Sequence, residues 1–127
     1  MYKFLPIVHV LSRLGLLFSM LLAVPTLMSY FFLDNAFPAF AYTALATTLT
    51  SCAVWLMTFH FRRELRPRDG FTLVLMLWLA FALVAAMPIY IHIPGISFTD
   101  AFFEAMSGLT TTGATVMTSL DTLAPSI

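Results

Sequence analysis

Long uncharged intervals constrain this chain more than any other feature. Charged side chains fall at Lys3, Arg13 and Asp34, in the run Arg62, Arg63, Glu64, Arg66, Arg68 and Asp69, and then at Asp100, Glu104 and Asp121. The stretches between them, Leu14 to Leu33, Asn35 to Phe61 and Gly70 to Thr99, each hold about 20 residues or more, enough at about 1.5 Å per residue to cross a hydrocarbon core of about 30 Å. A backbone in lipid must satisfy its own hydrogen bonds, so such intervals fold as helices. Only 9% of the residues are charged and 61% are hydrophobic, with a mean hydropathy of +0.95. Water-soluble domains of this size do not carry such a surface. The chain reads as an all-α integral membrane protein. Its formal net charge of zero gives no electrostatic basis for binding nucleic acid.

Lys3 and Arg13 precede the first interval and Ala39-Phe40-Ala41 has the form of a cleavage site, but the apolar run is too long for a secretory signal. Span one is expected over Pro6 to Leu33, kinked at Pro25, which lacks a backbone donor. Asp34 to Pro38 reads as a tight polar turn. Span two, Pro38 to Phe61, carries Thr43, Thr47, Thr48, Thr50 and Ser51, small residues that favour close helix packing. Cys52 within it reads as a small core hydrophobe. The loop from Arg62 to Gly70 concentrates four of the six basic residues, with Pro67 and Gly70 expected to break helix at its end. By the positive-inside rule this loop and the N-terminus are cytoplasmic and the Asp34 turn lies outside. Span three, Phe71 to about Ile91, places Trp78 mid-span for helix packing and is expected to stop at Pro88 and Pro94-Gly95.

His9, His60 and His92 are far apart, with no Cys or carboxylate at metal-ligand spacing, and read as packing residues. No nucleophile is paired with a base, so nothing here indicates an enzyme. Phe98 to Leu109 is too short to cross a bilayer, yet Ala101, Phe102, Ala105 and Leu109 share one side of a helix. Ser97-x-x-Asp100 has the form of a capping box at its start. Asp100 and Glu104 compensate the positive end of that helix or draw cations to an outer mouth. Beyond Gly108 the helix should give way to "LTTTGATV", irregular backbone that lipid cannot face.

Backbone carbonyls converging on one axis can replace the hydration shell of a monovalent cation. Turning successive carbonyls the same way needs angles that a Cβ resists, and Gly113 supplies the permissive position. Threonine hydroxyls would add ligands or bond within the scaffold. An ordinary extracellular loop and a broken-helix transporter site remain open on these residues alone. A phosphate-binding loop does not, because Ala114-Thr115 stands where that motif needs Lys followed by Ser or Thr.

"DAFFEAMSGLTTTGATV", Asp100 to Val116, resembles the first pore loop of the TrkH/TrkG/KtrB superfamily of bacterial potassium-uptake proteins. "RPRDGFTLVLMLWLAFALVAAMPIYI" is similar to the helix that precedes that loop, and the two helices before it resemble the TrkH branch. The resemblance implies three transmembrane helices followed by a short pore helix and a re-entrant selectivity-filter loop. Residues 1–69 would form a peripheral helix pair and cytoplasmic basic loop, and residues 70–127 the first helix and pore loop of the first of four channel repeats. Ser97 to Leu109 would be the pore helix. Thr111, Thr112 and Gly113 would offer potassium-coordinating carbonyls, flanked by Thr110 and Ala114. The single glycine implies looser discrimination among monovalent cations than a TVGYG filter. Potassium enters as the transported substrate, and no cofactor is implied. A homodimer, a cytoplasmic nucleotide-binding regulatory subunit of TrkA type and a bacterial inner-membrane location are implied as well. The chain ends before the inner helix expected after the loop, and reads as the N-terminal part of a longer protein that supplies one quarter of a filter.

Overall fold

The computed structural model describes residues 4–60 and 66–118. Every regular element among them is a helix: α1 (Leu5–Leu21), α2 (Ala23–Phe32), α3 (Phe37–Thr58), α4 (Pro67–His92) and α5 (Phe98–Leu109). Three segments are long and apolar enough to cross a membrane: α1 with α2 as one rod from Leu5 to Phe32, α3, and α4. The 12 residues of α5 reach only about 18 Å.

The break between α1 and α2 has a chemical cause. Pro25 gives no N–H to the carbonyl of Leu21, and its ring crowds that same carbonyl, so the rod is interrupted at Leu22, one turn before the proline. The ladder resumes at Thr26, which donates its N–H (3.2 Å) and its hydroxyl (2.6 Å) to the Leu22 carbonyl. After α2 the chain reverses through left-handed backbone at Leu33 and Asn35, with φ of 52° and 62°. The Asp34 carboxylate holds this turn, accepting from the Ala36 N–H at 3.1 Å and from the hydroxyl of buried Ser29.

Along α3, Thr43, Thr47, Thr48 and Thr50 each donate their hydroxyl to the carbonyl four residues earlier, at 2.7–2.8 Å. That bond lets a polar side chain sit in an apolar medium without an orphaned proton. Thr43 and Thr47 are buried against neighbouring helices, whereas Thr48 and Thr50 are exposed. Helix α1 crosses α3 where Gly15 faces Ser51, and a Cβ at Gly15 would collide with the Ser51 hydroxyl. Buried His9 ties the same pair of helices through Nδ1 to Thr58 Oγ1 at 3.0 Å. The Thr58 proton goes to the Val54 carbonyl at 2.8 Å, so the imidazole Nδ1 is the donor. Helix α1 meets α4 through a stacked Phe18–Phe81 pair, ring centroids 4.2 Å apart.

Two prolines act differently from the sequence expectation. Pro67 does not break helix but opens α4, where its missing N–H would have no intrahelical partner anyway. Asp69 seals that end by accepting the Arg66 N–H at 3.0 Å, and Gly70 lies within the helix rather than beyond it. Pro88 is buried inside α4, which continues to His92. Trp78 is 41% exposed and contributes little to packing within this chain, unlike its mid-span position suggested. Lys3, Arg62, Arg63, Glu64 and Asp121 lie outside the described residues, and with them most of the basic loop.

The chain turns from α4 into α5 through Ile93-Pro94-Gly95-Ile96. The Ile96 N–H bonds the Ile93 carbonyl at 3.4 Å, and Gly95 takes φ 81°, the left-handed third position that favours glycine after proline. Helix α5 then packs back on α4 through Ala86, Ala101 and Ala105, with Ile89, Ile96 and Phe102 at the margin. Alanine at all three central positions lets the two backbones approach closely, which is how helices gain dispersion contact in lipid.

The Gly15–Ser51 crossing yields a test of the bundle. Gly15→Val is expected to destabilise the detergent-solubilised protein by about 1–3 kcal/mol, the range for overpacking a close contact. Ser51→Gly in the same chain should recover part of the loss, both read by thermal denaturation.

Candidate functional site

Helix α5 is built to deliver its C-terminus to a fixed place. Ser97, in extended backbone, accepts the Asp100 N–H at 3.1 Å and donates its own hydroxyl to the Asp100 carboxylate at 2.7 Å. This satisfies the first turn and occupies Asp100 in capping. At the other end the Thr111 N–H bonds the Gly108 carbonyl at 3.1 Å and the Thr112 N–H bonds the Ser107 carbonyl at 2.9 Å. These two bonds are a Schellman closure, which normally places glycine at its left-handed position. Here that position is Thr111, with φ 55°. A β-branched residue is crowded there, at a cost of about 1–2 kcal/mol relative to right-handed backbone. Gly113 follows with φ 72°, so left-handed residues stand on both sides of Thr112.

The threonine hydroxyls bond within the scaffold. Thr110 Oγ1 donates to the Met106 carbonyl at 2.8 Å and Thr111 Oγ1 to the Thr110 carbonyl at 2.7 Å. Thr110 and Thr112 hydroxyls lie 2.8 Å apart; with the Thr110 proton already committed, Thr112 is the donor of that pair. Beyond Gly113 the chain runs back beside α5. Buried Ser107 donates to the Ala114 carbonyl at 2.7 Å. Glu104 Oε1 accepts from Thr115 Oγ1 at 2.7 Å, the Val116 N–H at 2.6 Å and the Met117 N–H at 3.1 Å.

Both ends of the loop are therefore tied to α5, and the peptide oxygens between them are not. No described residue donates a hydrogen bond to the carbonyl of Thr111, Thr112 or Gly113, and all three residues are exposed. The five residues singled out in the sequence, Thr110 to Ala114, form this one loop. Glu104 was legible only as a carboxylate near a helix start; its contacts lie 11 to 13 residues further on, beyond any local motif. Among the described residues no three of His, Cys, Asp and Glu come together, so the oxygen atoms on offer are those of the backbone and of threonine. A Cβ on Gly113 would meet nothing within 4 Å, so glycine is needed there for its backbone angle rather than for space. Gly113→Ala is accordingly expected to lower thermal stability by about 1–2 kcal/mol, while Thr111→Gly, which relieves the same strain one step earlier, should raise it or leave it unchanged.

Comparison with known proteins identifies the family. The family model described as TrkH, cation transport protein, matches residues 36–127. The Trk system potassium uptake protein TrkH of Halomonas elongata is similar at 38% identity over 95% of this chain and 25% of that protein. The TrkH of Escherichia coli K12 is similar at 36% identity over 94% of this chain and 25% of that protein. The chain thus spans about a quarter of the length of the curated relatives it matches. The crystal structure of the potassium transporter TrkH from Vibrio parahaemolyticus superposes with a TM-score of 0.87 at 36% identity, over 98% of this chain and 27% of that one. The agreement takes in the three apolar helices, α5 and its loop alike, and marks this as a membrane protein: the chain belongs to the TrkH family of cation transport proteins.

Proposed function

We propose that this chain supplies one quarter of a potassium-conducting filter. The observation that carries the reading is the run of three carbonyls, at Thr111, Thr112 and Gly113, left without internal partners between two anchored ends. Unpartnered peptide oxygens cannot face lipid without a cost of several kcal/mol each, so they belong in a wet or protein-enclosed place where a cation can take them as ligands. Helix α5 acts as the pore helix, its C-terminal end worth about half a negative charge near the ion. Potassium binds weakly hydrated and needs no fixed anion, which suits a neutral carbonyl array. Thr110 and Ala114 flank the array and shape it through their hydrogen bonds.

In this reading residues 70–127 belong to the first channel repeat and residues 1–69 to a peripheral helix pair with the basic loop. Potassium is the substrate, moved across a bacterial inner membrane with the N-terminus and the arginine loop on the cytoplasmic side, following the positive-inside rule. A homodimer and a cytoplasmic nucleotide-binding subunit of TrkA type on that side complete the assembly. The relatives named as potassium uptake proteins and a potassium transporter support this assignment.

Rubidium uptake into proteoliposomes tests it on the protein with its complete set of repeats. Gly113→Asp is expected to reduce uptake to the background of empty vesicles without loss of membrane insertion. Undiminished flux in that variant would make the loop a scaffold; flux that is saturable, coupled to protons or sodium and lost at Asp100 or Glu104 rather than at Gly113 would favour a broken-helix transporter site.

A further inference from the structure

We infer that Glu104 is a positioning residue that sets how well the pore discriminates between potassium and sodium. The inference rests on the filter reading of Thr111 to Gly113 and assigns to that site a determinant outside it. Glu104 and Ser107 lie one turn apart on α5, on the same side of the helix. Between them they fix the outgoing half of the loop over four consecutive residues: Ser107 through the Ala114 carbonyl, Glu104 through Thr115, Val116 and Met117.

The Glu104 contact is made of donors alone. Two successive backbone N–H groups and one hydroxyl converge on a single oxygen, Oε1, the kind of concavity that binds anions. Charge-assisted hydrogen bonds of this sort are shorter and about twice as strong as neutral ones. Thr115 joins the cluster twice, donating to Glu104 and accepting the Met117 N–H at 3.0 Å. The incoming half of the loop is fixed by the Schellman bonds and by the hydroxyls of Thr110, Thr111 and Thr112. The outgoing half depends on two side chains, and Glu104 alone supplies three of its bonds.

Discrimination between ions that differ in radius by fractions of an ångström depends on where the carbonyl dipoles stand and how far they can move. Gly113 sits immediately before the tethered segment and is the most pliable residue of the three. Releasing Thr115 to Met117 would leave Ala114 held by Ser107 alone and give the Gly113 carbonyl more room to relax toward the smaller ion. Loss of Glu104 therefore changes the ratio of permeabilities, and not merely the amount of folded protein.

The test measures rubidium and sodium uptake side by side in proteoliposomes of the protein with its complete set of repeats, for wild type, Glu104→Ala, Glu104→Gln and Gly113→Asp. Glu104→Ala is expected to lower the rubidium-to-sodium ratio by about tenfold, the equivalent of one charge-assisted hydrogen bond. Glu104→Gln keeps an acceptor oxygen at the same reach and should recover most of that ratio. A wild-type ratio in Glu104→Ala, or a fall in both fluxes together with the ratio unchanged, would overturn the inference. Should Glu104→Ala fail to insert, Glu104→Asp decides, because a side chain shorter by one methylene cannot reach all three donors; a lowered ratio supports the role and a wild-type ratio removes it. Persistence of flux in Gly113→Asp would instead strike the filter reading itself.

Discussion

Every feature of this chain answers to one constraint: a peptide group in hydrocarbon must find its hydrogen-bond partner inside the protein. The three long segments meet it by being helical throughout. Where the ladder is cut, at Pro25, it resumes with the next residue, Thr26, whose N–H and hydroxyl both reach the carbonyl of Leu22. Threonines on α3 meet the same demand by bonding their own turn. The loop after α5 meets it at both ends and leaves it unmet in the middle. There the carbonyls of Thr111, Thr112 and Gly113 have no donor among the described residues, and the proposed filter reading gives them a cation as partner.

Packing follows from the same medium. Lipid is as apolar as leucine, so burying a leucine against another helix gains little over leaving it in the bilayer. Close contact between backbones is what remains, and small residues provide it. The α1–α3 crossing uses Gly15 and Ser51, and the α4–α5 contact uses Ala86, Ala101 and Ala105. The large apolar side chains, Phe31, Leu33, Met57 and Phe71 among them, are instead exposed on this chain. In water that distribution would be a defect. In a membrane it leaves large surfaces for lipid and for neighbouring helices while the short helix α5 is held firmly on α4.

Much of the fold was legible because its signals are local. Ser97-x-x-Asp100 announced the start of α5, Pro94-Gly95 its preceding turn, and Pro25 the break in the first rod. The errors came from reading proline as a stop. At Pro67 the missing N–H lies in the first turn, where no partner would have existed. At Pro88 the surrounding helices bury the residue and α4 carries on, as membrane helices tolerate. The site was legible as a stretch of residues but not as a geometry. Gly113 advertises a left-handed angle; Thr111 does not, since threonine is a poor occupant of that region and only the Schellman closure of α5 forces it there. The Glu104 tether spans more than ten residues and has no sequence signature at all.

The strain at Thr111 raises the question of what a β-branched residue contributes where glycine fits. A glycine would relax the backbone but would also free it, and the loop would sample many arrangements of its carbonyls. Threonine restricts the same backbone and brings a hydroxyl that binds the Thr110 carbonyl, while Thr110 and Thr112 bond each other across it. The three hydroxyls thereby hold the donor side of the loop rigid and leave its acceptor oxygens unoccupied. On the proposed filter reading such an arrangement has a use, because oxygens already in place need not be reorganised when an ion sheds its water. A threonine run before a single glycine is thus a way of making irregular backbone stiff without a second strand or a disulfide to support it, and the cost of about 1–2 kcal/mol at Thr111 is modest beside the entropy of ordering a free loop of that length.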